Sequence, residues 1–122
     1  MFGAIPTGGS KLKLRGVIMN IGDYVYIYLF DLEKSLINMK QLRNDRFGRI
    51  LNKSIVHNNN GNDLIVYQIE LLQNNKTIEY RTDNINTSMI SINELIEIIG
   101  RAEVSSDKRS ALLEQVNNAI RG

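Results

Sequence analysis

The stretch YVYIYLF, residues 24–30, constrains the fold more than any other part of this chain. Its β-branched and aromatic side chains alternate, so a strand here shows one face of Val25, Ile27 and Leu29 and another of Tyr24, Tyr26, Tyr28 and Phe30. KLKLRGVIM, residues 11–19, alternates in the same way, and NIGD between the two is a turn signal. The spacing predicts a hairpin in which Met19 faces Tyr24, Val17 faces Tyr26, Arg15 faces Tyr28 and Lys13 faces Phe30. In that register Leu12, Leu14, Ile18, Val25, Ile27 and Leu29 make an aliphatic face for a core. The other face is basic and aromatic, with Lys11, Lys13 and Arg15 beside the four rings. A slip of one residue would bury the lysines, which desolvation opposes.

Further along, Leu32, Leu36, Met39 and Leu42 have helical spacing within residues 31–47 and predict a short helix, although SLINMKQL also reads as a strand. RILNKSIVH and DLIVYQIELL flank NNNGN, a hairpin with Gly61 in its turn, and Lys76 to Thr82 returns as a further strand. Ser91 and Glu94 form a capping box ahead of the stripe Ile92, Leu95, Ile96 and Ile99, with Gly100 as the stop signal. A second helix starts near Ser106, carries Asp107 in its first turn and offers Ala111, Leu112, Val116, Ala119 and Ile120 for burial. Strands first and helices last define an α+β fold: antiparallel hairpins or a meander over the first two thirds, then two C-terminal helices packed on one side or swapped onto a partner. At 122 residues the expectation is one domain spanning residues 1–122.

Composition removes whole classes of chemistry. The chain has no cysteine and one histidine, His57, so thiolate catalysis and an ordinary zinc site lack their ligands. No motif asks for a cofactor, and the expectation is a protein that is not an enzyme. Neither an 18-residue apolar run nor a signal-peptide pattern occurs, which predicts a cytoplasmic protein with no membrane partner. Residues 1–57 hold nine Lys or Arg against four Asp or Glu, whereas residues 58–122 hold six against nine. The basic half suggests an anionic partner or charge complementarity between subunits.

Three features could meet such a partner. RNDRFGR, residues 43–49, sets Phe47 among Arg43, Arg46 and Arg49; the ring is either folded onto the core or offered to a ligand that is part base and part phosphate. The face that carries Arg15 and Tyr28 suits base stacking and phosphate neutralisation, and suits a subunit interface equally. Lys108 and Arg109 follow Ser105, Ser106 and Asp107 at a helix start, where free N–H groups attract anions, or they are solvated surface charges. PTGGS, residues 6–10, has glycines that could cradle a phosphate but lacks the P-loop pattern.

With hairpins first, two helices last and SSDKRSALLEQVNNAIRG as a basic-headed terminal helix, the layout resembles the phage Thoeris anti-defence sponges, which capture cyclic ADP-ribose signals made by bacterial TIR proteins. The resemblance implies adenine binding by aromatic and amide side chains and diphosphate binding by arginines, at pockets between subunits and without cleavage. Arg109 matches the arginine role in residue type and helix placement; Phe47, Tyr80 and Tyr28 are candidates for the ring. The resulting expectation is a homo-oligomeric binding protein that sequesters a small anionic nucleotide through Arg15, Tyr28, Arg46, Phe47, Arg49, Lys108 and Arg109. The alternatives are a single-stranded DNA or RNA binder using the Lys11, Lys13, Arg15 and tyrosine face, and a structural or protein-binding inhibitor subunit.

Overall fold

The computed structural model describes residues 19–29, 31–57 and 63–121. The expected strand over residues 11–18, with Arg15, lies outside them, as do Phe30, PTGGS and the turn at residues 58–62. The architecture is α+β. Five strands, β1 (Tyr24–Leu29), β2 (Phe47–His57), β3 (Asp63–Leu71), β4 (Thr77–Arg81) and β5 (Thr87–Ser91), form one antiparallel sheet in the order β4-β3-β2-β1-β5. Helix α1 (Leu32–Asn38) and a 3-10 turn (Asn44–Arg46) connect β1 to β2, and α2 (Ile92–Arg101) and α3 (Ser106–Arg121) close the chain.

Local chemistry accounts for most of these boundaries. Asp31 caps α1 by accepting from the Glu33 and Lys34 amides at 3.0 and 3.4 Å, and this resolves the ambiguous 31–47 segment in favour of a short helix. Ser91 caps α2, its hydroxyl accepting from the Glu94 amide at 3.2 Å as the capping box requires. Gly100 does not end that helix, which runs on to Arg101 with Ala102 as its C-cap. Strand β5 had no counterpart in the sequence reading, because TSMIS is short and half polar; its pairing with β1, from Val25 opposite Ser91 to Leu29 opposite Thr87, creates it.

Both faces of the sheet are apolar, and each is covered differently. On one face α1, α2 and α3 pack over Tyr26, Phe47 and Ile90 through Leu32, Leu36, Leu95, Ile99, Leu112 and Val116. The opposite face gathers Met19, Val25, Ile27, Ile50, Tyr67, Ile69, Tyr80 and Met89. Here the sheet curls: the Tyr80 hydroxyl on the edge strand β4 donates to the Thr87 carbonyl on the other edge strand, β5, at 3.4 Å. A register shift between Ile50 and Asn52 interrupts the β2–β3 ladder, an irregularity of the kind that increases local twist. Gly48 allows β2 and β3 to approach closely, since a Cβ there would lie 2.5 Å from the Ile69 side chain.

At Val25 and Tyr26 both edges of β1 are taken, by β2 and β5, and the hairpin partner expected from residues 11–18 lies outside the described residues. The tyrosine side of β1 is not the outer face expected, because the helices cover it, with Tyr26 buried, Tyr28 half-buried and Tyr24 more open. Ala111 and Ile96, expected in the core, are exposed.

Phe47 answers the question that RNDRFGR poses. It has no exposed surface, and its ring lies 4.9 Å from that of Tyr26, directly opposite it in register, tilted by 58°. It is a core residue and has no free face for a ligand. Phe47→Ala should therefore cost about 3–5 kcal/mol, a large part of a small domain's stability. Chemical denaturation measures this, and a loss below about 1 kcal/mol would contradict the packing described.

Candidate functional site

The α1–β2 connection is pinned at two places. Gln115 of α3 grips the backbone of Leu42: its Oε1 accepts from the Leu42 amide at 2.8 Å and its Nε2 donates to the Leu42 carbonyl at 2.6 Å and to Asn44 Oδ1 at 2.8 Å. One residue on, the Arg43 amide donates to the Tyr26 hydroxyl at 3.1 Å. These contacts hold Arg43 and Arg46 beside the outer end of the β1 tyrosines. Between them is a cavity of about 150 Å3, lined by Tyr26, Tyr28, Leu32, Ser35, Arg43 and Arg46 among others. It brings Tyr28 and Arg46, two of the residues expected from sequence, to one place.

The electrostatics of the two arginines differ. Arg43 is held by Asp45 through two bonds, Nε to Oδ1 at 3.1 Å and a terminal nitrogen to Oδ2 at 2.8 Å. These bonds hold the Asp45 carboxyl below the usual carboxylate range, and the nearby Arg46 charge acts in the same direction. Among the described residues Arg46 forms no ion pair, and its charge acts on Asp45 and Tyr26 without a direct bond. Burial pushes the Tyr26 phenol above its ordinary pKa against the lowering effect of the Arg43 bond, so the hydroxyl stays protonated through neutral pH. Tyr28 is raised by burial too, with the Ser88 bond lowering it and Glu94 and Asp31 raising it. The cavity thus offers a guanidinium outside the described ion pairs, a second guanidinium in a surface pair, neutral phenols and an apolar wall, a set suited to one end of an anionic aromatic ligand.

A larger depression of about 490 Å3 lies between α3 and the β3–β4 turn. Its polar groups are amides and the Glu114 carboxylate, with no cation and no ring, and Gln115 is already bound to Leu42. A second, of about 460 Å3, carries Asp23 and Glu94 beside Tyr24 and again no cation. Both are the wrong sign for an anion.

The other expected residues lie elsewhere. Phe47 is beneath the site, in the core. Arg49 points away along β2 towards Glu70, the residue opposite it on β3, at 4.0 Å. Tyr80 is buried in the core of the opposite sheet face. Arg109 closes the end of the preceding helix: it donates through Nε to the Ile99 carbonyl at 3.3 Å and through one terminal nitrogen to the carbonyls of Ala102 at 2.8 Å and Val104 at 3.4 Å. Lys108 does the same for α1, its Nζ donating to the Ile37 carbonyl at 2.9 Å. Ser105 accepts from the Lys108 amide through its hydroxyl at 3.1 Å and from the Arg109 amide through its carbonyl at 2.9 Å. The basic pair at the start of α3 is therefore explained by two helix C-termini, whose unpaired carbonyls attract cations.

Ser35 was not singled out from the sequence, and Arg43 and Tyr26, noted in RNDRFGR and on the tyrosine face, were not in the expected nucleotide site. Side-chain parity was the available signal for Tyr26, which shares a face with Tyr28. Comparison of the chain with family models, with curated proteins and with solved structures returned no match.

The capping assignment has a measurable consequence. Arg109→Ala should destabilise the fold by about 1.5–3 kcal/mol, because it strips bonds between a charged group and part-buried carbonyls. Lys108→Ala, at an exposed bond, should stay within about 0.5 kcal/mol. Equal melting temperatures for wild type and Arg109→Ala would remove this role from Arg109.

Proposed function

We propose that this chain is a non-catalytic binding protein that sequesters a small anionic nucleotide, with one end of the ligand in the cavity between β1 and the α1–β2 connection. The observation that carries this reading is the meeting of Tyr28 and Tyr26 with Arg46 and Arg43 around a single cavity. Arg46 would neutralise a phosphate and Tyr28 would pack against a sugar or base, while the Tyr26 phenol can donate to a phosphate oxygen.

The volume limits what enters. About 150 Å3 is the space of roughly five waters and about half the lower bound for a pocket that encloses a whole drug-sized ligand. The remainder of a nucleotide would extend over the surface or against a second subunit, which is where a homo-oligomer would complete the site. The sponge-like layout makes cyclic ADP-ribose the first ligand to try.

Native mass spectrometry of the full chain incubated with cyclic ADP-ribose reports ligand retention, ligand mass and subunit number together. The expected result is retention of intact ligand, with Arg46→Ala weakening binding roughly ten- to 150-fold at unchanged melting temperature. Failure of the nucleotide to bind, or its conversion to a product, would overturn the reading. A steep loss of affinity with salt for oligonucleotides, together with no binding of the nucleotide, would favour single-stranded nucleic acid instead.

A further inference from the structure

Arg43 lines the cavity while its guanidinium is paired with Asp45. The backbone of this segment is bonded to Gln115 at Leu42 and to Tyr26 at the Arg43 amide, so a change of partner for Arg43 falls to its side chain. Both members of the pair are exposed, with 59% and 43% of their side-chain surfaces open. Exposed pairs of this kind contribute little, and the guanidinium fork that fits a carboxylate fits a phosphate equally well. Exchange of Asp45 for a ligand phosphate therefore costs little.

Resting on the nucleotide-binding reading above, we infer that Asp45 is a specificity-determining residue: by holding Arg43 it reserves the second guanidinium for ligands that bring two negative charges. A ligand with one negative charge is satisfied by Arg46 alone and cannot compete with Asp45 for Arg43. A diphosphate-bearing ligand engages Arg46 with one phosphate and draws Arg43 from Asp45 with the other, while the Asp45 carboxylate returns to water. The ligand class is thus a nucleoside diphosphate derivative in preference to a nucleoside monophosphate diester.

The test is a calorimetric titration of ADP-ribose and of 3′,5′-cyclic AMP into the wild-type chain, Asp45→Asn, Arg43→Ala and the double variant. Wild type should prefer ADP-ribose. Asp45→Asn should bind both ligands more tightly, cyclic AMP by the larger factor of about three- to tenfold, so that the preference narrows. In the Arg43→Ala background that gain should vanish, since no guanidinium remains to be released. A gain of the same size with and without Arg43 would overturn the inference, because Asp45 would then act only as a background charge; an unchanged preference in Asp45→Asn would overturn it too. If wild type binds ADP-ribose through Arg46 and Asp45→Asn changes nothing, the inference falls and the binding reading stands. If neither ligand binds wild type or Asp45→Asn, both fall.

Discussion

The contact between Tyr26 and Phe47 ties the two halves of this structure together. The β1–β2 register sets the two residues opposite each other, and burial of both rings under the helices commits that sheet face to the interior. An aromatic pair contributes about 0.5–1.5 kcal/mol beyond the burial of its area, and the burial itself is the larger effect. The Tyr26 hydroxyl is the one polar point on this contact, and its bond to the Arg43 amide satisfies it while fixing the connection that carries both cavity arginines. Core packing and placement of charge are consequences of the same side chain.

That coupling separates the basic residues into two kinds. Lys108 and Arg109 answer a local need, the unpaired carbonyls at the ends of α1 and α2, and their position at the start of α3 follows from where those ends lie. The unfavourable approach of two cations to a helix N-terminus, about 0.3–1 kcal/mol each, is offset by charged hydrogen bonds of comparable or greater strength. Arg49 is spent on Glu70 across the sheet. Among the described residues Arg46 forms no ion pair, and such a cation beside two tyrosines is the feature that suggests a ligand.

Most of the strands and helix starts are legible in the sequence because they follow from local rules. Alternation marked β1, β2 and β3, and Ser91 with Glu94 marked the start of α2. What alternation could not tell was which face of β1 is covered. With aliphatic residues on one side and tyrosines on the other, both sides can be buried, and here the sheet curls over one while helices cover the other. Phe47 was ambiguous for the same reason: its arginine-rich neighbours suggest exposure, whereas its cross-strand position opposite Tyr26 decides burial. The role of Arg109 depends on the carbonyls of Ile99 and Ala102, which reach it only through the turn between α2 and α3. Strand β5 depends on a partner more than fifty positions earlier in the chain. Arg46 and Tyr28 were recognised as residue types, but their meeting is a product of the Gln115 clamp, which nothing local announces.

Charge at the start of α3 caps two helix ends, whereas charge in the α1–β2 connection is what we propose a ligand meets. Amide chemical-shift mapping of the isotopically labelled full chain with ADP-ribose tests this directly. Shifts should cluster at Tyr28, Ser35, Arg43, Asp45 and Arg46, with the amides of Ser106, Lys108 and Arg109 unmoved. Shifts centred on the start of α3, with the α1–β2 connection unchanged, would contradict this assignment.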